Sequence, residues 1–540
     1  MDEWMDISNM NRLFSLLWEE NGQRVILKYM EDRQVCAVTA DGFSAQVAQM
    51  AAMLSGKNLH GRHIGIMGAN RVQWLAAFCA VFKVGGVAVL LSPDLNSREL
   101  AQRIRQADVA CLCYDQNLEE RVLNAREETG ILTLNLDDVQ EAGNNSRISA
   151  AEQRRDDLAC ILFTSGTTAQ AKAVMLSHGA MIAGVCHRVI GKGFDAQLAI
   201  LPLHHIAGIA SVLNTWYLGA VVCLGQEMKY LYRYLEKMQP DYMLAVPSLI
   251  QALMKKLKNG GPNGRELGWD LRLLGCGGAR FLPDAIRFFH ERNIRILQSY
   301  GATEAGGLGF DWEMEEDCRD TIGKPCPEIE IKLLDGELWL RSPSVMMGYY
   351  KDPEATAQVL RDGWYATGDL CRQDEEGYLY LTGRKKNVII LSNAENVSPE
   401  EIEHALLQSA HIEEVVVGVD GDLICAVVYA AADARQAVSE YVQHYNSTVP
   451  YYKQVQKLEF SEVPFAKTEI GTFGYKDRIT LGLHKNAFAP IFLIPLPSST
   501  CSSFACRKAC ALLLWLDVTR RCVWIPSSLC MSSSGFCWRS

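Results

Sequence analysis

The sequence has 540 residues, of which 49% are hydrophobic and 21% are charged, and its formal net charge is −10. This length exceeds what one hydrophobic core usually supports, so at least two domains are expected, and the composition excludes a wholly disordered chain. The acidic balance argues against a nucleic-acid partner, which would need a basic face to displace counterions.

The first third of the chain alternates helical and strand-like segments. GFSAQVAQMAAML and VQWLAAFCAVFKV have helical periodicity, and the apolar runs HIGIMG and GVAVLL are typical of buried strands. Further strand candidates are ACILFT, QLAILP, YMLAVP and LRLLGCGG, and each ends in Pro, Gly or small polar residues, where ligands usually bind. This order predicts an α/β fold with a large N-terminal domain of parallel β-α-β sheets.

The texture changes from Gly336 onwards. GELWLRS and GYLYLTG are short alternating strands that predict a β-rich subdomain. VIILS, PEEIEHALLQS and EEVVVGVD then predict strand, helix and strand in a small α+β C-terminal domain. We therefore predict a large domain over residues 1–382 and a small mobile domain over 383–481.

The segment 482–540 differs from the rest of the chain. It has no sustained periodicity, and six of the 18 cysteines lie in its last forty residues. The cysteine spacings match no ligand pattern, which favours an aberrant or disordered extension, such as a reading-frame change would produce, over a Cys-rich binding segment.

Targeting signals and metal-binding cysteines are not evident in the sequence. The start, MDEWMDISNM, lacks the basic and then apolar order of a secretory signal, which favours the cytoplasm, and no apolar run reaches the roughly 18 residues of a transmembrane helix. Cysteines of the body, such as Cys79, Cys160, Cys223 and Cys276, are scattered singly without C-x-x-C spacing. We expect them to be buried thiols rather than disulfides or zinc ligands.

A Ser/Thr-rich loop follows the predicted strand ACILFT, and Lys172 lies eight residues beyond its first threonine. Hydroxyls and backbone amides on a tight glycine turn can donate to phosphate oxygens, and the lysine adds charge. The loop consists of Thr164, Ser165, Gly166, Thr167 and Thr168. It lacks the Gly-Lys-Ser/Thr of the common nucleotide-binding loop, and a turn without a ligand is the alternative for so short a motif.

Later motifs strengthen the nucleotide interpretation. The loop TSGTTAQAKAVMLSH resembles TSGTTGxPKGV, the signature of the adenylate-forming (AMP-binding) superfamily of acyl-CoA synthetases, adenylation domains and luciferases. Asn70, Trp74 and KVGGVAVLLSP resemble the N-terminal sheet segment of that family. LPLHHIAG, GCGGARF, SYGATE, YATGDL, GRKKNVIILSNAENVSPEEIE and KTEIG then follow in the family order, so the resemblance covers roughly residues 40–471.

The resemblance implies that a carboxylate attacks the α-phosphate of ATP and that pyrophosphate leaves. The Thr164 loop and Lys172 would then bind the leaving phosphates, and Thr303 would hydrogen-bond the α-phosphate. Glu304 would bind Mg²⁺, a hard cation suited to carboxylate and phosphate oxygens.

The resemblance also implies a nucleoside site. Tyr300 would stack on adenine, Asp369 would accept hydrogen bonds from the ribose hydroxyls, and Arg384 would add a contact to the nucleotide. Small residues would let the base approach the backbone. They are Gly277, Gly278, Ala279 and, in the Y-G-x-T-E signature, Gly301.

Two further residues have open alternatives. His205 matches the P-x-x-H segment, which implies that it lines or gates the acyl pocket, whereas a structural histidine is the alternative. An acyltransferase HHxxxD base is disfavoured, because Ile209 stands at the Asp position. Lys386 matches the hinge about which the C-terminal domain rotates between half-reactions, and an ordinary exposed lysine is the alternative.

The sequence departs from the family pattern in three places. Ala169, Ala171 and Ala173 replace the Gly, Pro and Gly of the loop. Ala394 replaces a glycine near the expected pantetheine tunnel, where a methyl group would narrow the passage. Thr472 stands where KT-x-x-GK has its last lysine. The loss of that positive charge predicts that the activation barrier of adenylation is higher by about 3 to 4 kcal/mol.

The sequence as a whole predicts an acid–thiol ligase of the medium- and long-chain acyl-CoA synthetase kind. Its substrates would be ATP with Mg²⁺, an apolar carboxylic acid, which we expect to be a fatty acid, and CoA. Transfer to a separate acyl carrier protein is the enzymatic alternative, and a relative that binds nucleotide without turning it over is the other.

Overall fold

The protein is described by a computed structural model. The described residues are 3–19, 22–138, 151–164, 171–186, 193–259, 269–277, 283–307, 309–314, 321–326, 328–391, 396–420, 423–465 and 492–493. The chain divides into two units, Met1–Leu493 and Ile494–Ser540, of which the second lies outside the described residues.

The helices follow the apolar periodicity of the sequence. In chain order they are α1 Met10–Glu19, α2 Ala40–Ser55, α3 Val72–Lys83, α4 Ser97–Gln106, α5 Glu119–Thr129, α6 His178–Cys186, α7 Ile206–Tyr217, α8 Leu231–Met238, α9 Pro247–Asn259, α10 Pro283–His290, α11 Pro353–Val359, α12 Pro399–Leu406 and α13 Arg435–Thr448. Within the described part of the chain, no helix is long and apolar enough to span a membrane.

The strands are mostly short. In chain order they are β1 Val25–Glu31, β2 Gln34–Thr39, β3 His63–Met67, β4 Val87–Leu91, β5 Val109–Tyr114, β6 Leu132–Asn135, β7 Leu158–Phe163, β8 Ala173–Ser177, β9 Ala196–Ala199, β10 Val221–Leu224, β11 Tyr242–Ala245, β12 Leu273–Cys276, β13 Arg295–Gly301, β14 Gly309–Met314, β15 Glu330–Leu334, β16 Glu337–Arg341, β17 Gly348–Tyr349, β18 Leu360–Arg361, β19 Trp364–Gln373, β20 Leu379–Arg384, β21 Ile389–Ile390, β22 Asn396–Val397, β23 Glu414–Asp420, β24 Leu423–Tyr429, β25 Lys457–Ser461 and β26 Phe492–Leu493.

Two large sheets form the N-terminal part of the fold. Among the described strands, one sheet has the order β14-β13-β12-β11-β9-β10-β1-β2 and the other has the order β17-β8-β7-β4-β3-β5-β6. The inner strands are parallel, whereas β8 runs antiparallel to β7 and β14 runs antiparallel to β13. The predicted α/β class with parallel β-α-β sheets is confirmed, and antiparallel strands extend its edges.

The largest hydrophobic core lies between the two sheets. Its buried side chains come from β3 and β7 of one sheet, from β10 of the other and from the intervening α3. Helix α3 is apolar around its whole circumference, with Trp74, Phe78 and Phe82 fully buried, as expected for a helix covered on all sides. The predicted buried thiols Cys79, Cys160, Cys223 and Cys276 are free and buried.

Smaller β-rich parts follow. Strands β15, β16, β19 and β18 form a sheet, with β20 paired to β19, which fits the predicted β-rich subdomain. The C-terminal sheet has the order β23-β24-β25-β26 and packs with α12. Strand β26, inside the predicted 482–540 tail, pairs with β25, and the remaining residues of that tail lie outside the described part.

Candidate functional site

The base of the predicted phosphate loop is closed by its two ends. Thr164 directly follows β7, and its backbone amide donates to the carbonyl oxygen of Lys172 at 3.0 Å. The amide of Lys172 in turn lies 3.4 Å from the Thr164 hydroxyl oxygen. These bonds fix where Lys172 leaves the loop. The predicted phosphate donors Ser165, Gly166, Thr167 and Thr168 lie outside the described residues.

The SYGATE segment forms the end of β13 and continues into a tight turn. Thr303–Ala305 is a short 3₁₀ helix, closed by the amide of Gly306 on the carbonyl of Thr303 at 3.1 Å. Gly306 has φ +68°, and a Cβ there would lie 2.8 Å from the carbonyl oxygen of Ser344, so the position requires glycine. This turn places Thr303 and Glu304 just beyond the strand that carries Tyr300.

Tyr300, Asp369 and Arg384 form one hydrogen-bonded group. The Tyr300 hydroxyl donates to Asp369 Oδ2 at 2.7 Å, and Arg384 Nε lies 2.7 Å from Asp369 Oδ1. Asp369 and Arg384 face each other on the antiparallel strands β19 and β20. Each carboxylate oxygen has a second acceptor site, so Asp369 can still accept hydrogen bonds from two further hydroxyls such as those of a ribose.

Burial defines the protonation pattern of this group. It raises the pKa of the Tyr300 hydroxyl well above its usual range, and nearby Asp369 acts in the same direction. Burial also raises the pKa of Asp369, against the opposing charge of Arg384 and the hydrogen bond from Tyr300. The charge of Asp369 is the largest cause of a raised pKa for Arg384. Tyr300 is therefore a donor in this group and Arg384 remains a cation.

Glu304 and Lys172 meet on opposite parts of one tyrosine that the sequence did not single out. The hydroxyl of Tyr349 donates to Glu304 Oε1 at 2.9 Å, and Lys172 Nζ lies 4.4 Å from the centre of the Tyr349 ring. The predicted phosphate lysine and the predicted metal carboxylate therefore belong to the same site.

Lys386 lies in a 3₁₀ turn, Lys385–Asn387, directly after β20. Partial burial lowers the pKa of the Lys386 ammonium, and the charges of Arg384 and Lys172 act in the same direction. The carboxylates of Asp369 and Glu304 oppose that shift. The hinge candidate thus shares an electrostatic environment with both halves of the site.

The charges of these groups suit a polyanion. Lys172, Arg384 and Lys386 contribute three positive charges against the two carboxylates of Glu304 and Asp369, in a chain whose net charge is −10. Local cations of this kind are what phosphate oxygens require on an otherwise acidic protein.

The turn before His205 is fixed by contacts with the residue Asn70, which lies beyond the end of β3. His205 precedes α7, and its ring centre lies 4.2 Å from that of His204. Asn70 fixes the preceding turn: its amide nitrogen donates to the carbonyls of Leu201 and Gly225 at 2.9 and 3.1 Å, and its oxygen accepts from the amide of Leu203 at 3.0 Å. Asn70 therefore joins the two large sheets beside His205.

A cavity of about 280 Å³ lies next to the loop base. Its wall combines apolar side chains with charged, hydroxyl and imidazole groups. The lining residues are Leu90, Ser92, Asp94, Leu95, Arg103, Phe163, Thr164, Ala171, His204 and His205. His205 and Thr164 thus face a common space, as expected if an apolar group lies beside the phosphates.

Two of the predicted small residues of the nucleoside site, Gly277 and Gly301, lie at the ends of neighbouring strands. Gly277 directly follows β12, and a Cβ there would meet only atoms of Ser299 at 3.9 Å, so the position is open. Gly301 is the exposed last residue of β13. Gly278, Ala279, Ala169, Ala394 and Thr472 lie outside the described residues.

The residues present fit Mg²⁺ only together with a phosphate ligand. Within the described part of the chain, no group of three or more His, Cys, Asp or Glu side chains could hold a metal ion. Glu304 alone offers one carboxylate, which is the usual protein share when Mg²⁺ is bound with substrate phosphates.

The sequence motifs assign no site role to two tyrosines of this geometry. Tyr349 lies in a GYY run that has no recognisable site spacing, and its partner Glu304 is 45 residues away. Tyr365 is buried, and burial together with Glu304, Tyr349 and Asp369 raises its pKa well above the usual range. Tyr365 is the first residue of the YATGDL motif, but that motif assigns a role only to Asp369.

Two family profiles match this chain. The profile of the AMP-binding enzyme family matches residues 18–350, and that of the AMP-binding enzyme C-terminal domain matches residues 386–473.

Alignments with known proteins cover most of this chain. Peroxisomal OPC-8:0-CoA ligase 1 of Arabidopsis thaliana is 26% identical over 466 residues, which are 78% of this chain and 84% of the relative. The long-chain-fatty-acid–CoA ligase of Haemophilus influenzae is 27% identical over 480 residues, 76% of this chain and 84% of the relative. O-succinylbenzoate coenzyme A synthetase from Bacillus subtilis, solved with AMP, matches with a TM-score of 0.75 and 23% identity, covering 86% of this chain and 97% of that structure, a likeness of fold.

Proposed function

Because this chain belongs to the AMP-binding enzyme family, we propose that it uses ATP to activate an apolar carboxylic acid, of the fatty-acid kind, and then transfers the acyl group to CoA. The family predicted from the sequence is confirmed. The protein is an acid–thiol ligase of the acyl-CoA synthetase type, and its curated relatives are CoA ligases.

The reaction has two balanced steps. In the first, a carboxylate oxygen of the acid forms a bond to the α-phosphorus of ATP, and the bond to the leaving pyrophosphate breaks, which gives acyl-AMP. In the second, the sulfur of CoA bonds to the acyl carbon, AMP leaves with the bonding electrons, and the thiol proton passes to solvent.

We assign the phosphates to the Thr164 loop and Lys172, and the α-phosphate to Thr303. When bound, Mg²⁺ supplies positive charge to the phosphate oxygens, and Glu304 is the carboxylate that would hold it. Tyr300 is assigned to adenine, Asp369 to the ribose hydroxyls and Arg384 to the nucleotide; these assignments rest on the family pattern.

The observation that supports this proposal most strongly is the Tyr300–Asp369–Arg384 group. It presents a buried ring, a carboxylate with remaining acceptor sites and a cation. Strand β13, which carries Tyr300, leads into the turn of Glu304. A nucleoside with a charged phosphate chain needs this combination of groups. A purely structural ion pair would have no need of Lys172 as a further cation in the same site.

His205 and Lys386 have proposed roles beside the nucleotide. His205 borders the cavity next to Thr164, which supports a place in the wall of the acyl pocket. Lys386 follows Arg384 in a short turn just beyond the predicted domain boundary at 382/383, which supports its role as the hinge. A relative that acts on a long-chain fatty acid supports an apolar acid, and relatives that are CoA ligases favour CoA over a carrier protein as the acceptor.

ATP–pyrophosphate exchange across a panel of acids tests this function. The panel contains short-, medium- and long-chain fatty acids together with aromatic acids. We expect exchange above background with at least one apolar acid. A protein that binds ATP but shows no exchange with any acid would be the inactive relative that Thr472 also allows.

A further inference from the structure

Tyr349 lies on a short segment that joins the two phosphate-facing parts of the site. On one side, β17 pairs antiparallel with β8, which begins directly after Lys172, and Tyr349 is opposite Val174. The amide of Tyr350 donates to the carbonyl of Ala173 at 2.8 Å. On the other side, the amide of Met346 donates to the carbonyl of Glu304 at 2.8 Å.

The backbone around Tyr349 allows little adjustment. Gly348 has φ +143°, and a Cβ there would lie 2.8 Å from Cγ2 of Thr356. The amide of Tyr349 donates to the Thr356 hydroxyl at 2.9 Å, and its side chain is only 4% exposed. The direction of the ring is therefore determined by the fold rather than by a ligand.

The side chain of Tyr349 interacts with one charged group at each end. Its ring faces the Lys172 ammonium at 4.4 Å, a distance at which the negative ring face stabilises a cation. Its hydroxyl donates to Oε1 of Glu304 and so fixes the orientation of the whole carboxylate, including its second oxygen, Oε2. A phenol carries its proton at neutral pH, and an ionised carboxylate can only accept, so Tyr349 is the donor of this bond.

We propose that Tyr349 is a positioning residue for metal and triphosphate binding: it orients Glu304 for Mg²⁺ and places Lys172 for the phosphates from a single rigid side chain. This inference rests on the proposed function, because it takes Mg²⁺·ATP as the ligand. Tyr349 itself contacts neither the acid nor CoA in this account.

Two substitutions separate the two ends of the side chain. Tyr349→Phe keeps the ring beside Lys172 and removes the hydroxyl from Glu304, whereas Tyr349→Leu removes both contacts. Tyr350→Phe is the matched control, because the neighbouring hydroxyl donates to the exposed carboxylate of Asp108 at 2.7 Å, away from the site. Thermal unfolding of each variant verifies that it folds.

Binding is measured with Mn²⁺ in place of Mg²⁺, by electron paramagnetic resonance at saturating ATP and without any acid. Loss of a hydrogen bond to a charged group should weaken Mn²⁺ binding about tenfold in Tyr349→Phe. Tyr349→Leu should in addition raise the Kd for ATP, and Tyr350→Phe should match the wild type. Unchanged Mn²⁺ affinity in Tyr349→Phe would overturn the proposal.

A double-mutant cycle with Glu304→Gln distinguishes action through Glu304 from general damage. If Tyr349 acts through that carboxylate, its loss should change Mn²⁺ affinity much less in the Glu304→Gln background than in the wild type. Equal changes in Mn²⁺ affinity in both backgrounds would overturn the positioning role. Because the same Tyr349→Phe substitution is present in both backgrounds, this comparison remains valid if the substitution lowers the stability of the protein.

The measurements distinguish failure of the proposed function from failure of the proposal about Tyr349. Mn²⁺·ATP binding by a wild-type protein that shows no exchange with any acid would reject the activity but leave the Tyr349 measurement intact. A wild-type protein that does not bind Mn²⁺·ATP would reject both.

Discussion

Tyr300 donates a hydrogen bond of 2.7 Å to Asp369, a residue 69 positions further along the chain and in a different sheet. Tyr300 is on β13 of the eight-stranded sheet, and Asp369 is on β19 of the β-rich sheet. The nucleoside half of the site therefore exists only when these two sheets are packed together. This contact links the stability of the fold to nucleotide binding.

Replacing Asp369 with Asn should weaken ATP binding. The amide keeps the shape of the side chain but removes the charge opposite Arg384 and places an NH₂ group where only acceptors are useful. We expect the KM for ATP in the exchange reaction to rise about tenfold or more, with a smaller change in the KM for the acid.

Glu330→Gln is the control for that substitution. It removes a carboxylate from an exposed pair with Arg341, and such pairs contribute little. The same increase in KM in both variants would mean that general charge, rather than the Asp369 contacts, determines ATP affinity.

Gly208→Ala should destabilise the turn that carries His205. A Cβ at Gly208 would lie 2.8 Å from the carbonyl carbon of Pro202 and overlap its oxygen, and backbone atoms cannot turn aside as a side chain can. We expect the free energy of unfolding to fall by about 2 kcal/mol, measured by urea denaturation.

Gly56→Ala provides the comparison for Gly208→Ala. Gly56 ends α2 with φ −66°, and no atom lies within 4 Å of its Cβ position. The alanine should be neutral or stabilise the fold by about 0.5 kcal/mol, because it restricts the unfolded chain. If both alanines had the same effect on the free energy of unfolding, Pro202 would not approach α7 as closely as described here.

Stability should depend on pH through His178. Its ring is fully buried against Phe82, and burial lowers the pKa of the imidazole from 6.5 to about 4. Between these values the unfolded chain binds the proton and the folded chain does not, so the free energy of unfolding falls as pH is lowered from about 6.5 to 4. The contribution is up to about 1.4 kcal/mol per pH unit.

Chemical unfolding at pH 7, 6 and 5 measures this dependence. His178→Gln keeps an acceptor for the amide of Met10, which lies 3.3 Å from Nδ1 in the wild type, but has no titrating group. The variant should lose part of the pH slope, whereas the exposed His411→Gln should keep it. A slope that persists unchanged in His178→Gln would contradict this assignment.

The sequence predicted the parts of the fold that depend on local pattern. Continuous apolar runs marked β3, β4, β7 and β12 correctly, because parallel strands buried on both faces need continuous apolar residues. Strand β8 was missed, since AVMLS follows the loop without a turn signal of its own. Tyr349 was missed because its contacts with Lys172 and Glu304 depend on a sheet edge that no local spacing encodes.

Thr472→Lys should accelerate the first half-reaction. The substitution restores a cation at the position that the family pattern assigns to the substrate carboxylate and α-phosphate. We expect the exchange rate to rise by about 10² or more, since one lost stabilising group costs that much in comparable sites. Lys476→Ala in the wild type is the companion experiment, because Lys476 is a lysine close enough in sequence to substitute. Equal exchange rates in the wild type and in the Thr472→Lys variant would show that this position has no catalytic role.

We expect one site to make acyl-AMP and then the thioester. The most direct measurement is a single turnover with ATP, Mg²⁺ and the best acid of the exchange panel, quenched and analysed by mass spectrometry before and after CoA is added. Without CoA we expect enzyme-bound acyl-AMP, and after CoA is added we expect its conversion to acyl-CoA and AMP. Formation of ADP in place of AMP, or acyl-AMP that persists after CoA is added, would contradict this expectation.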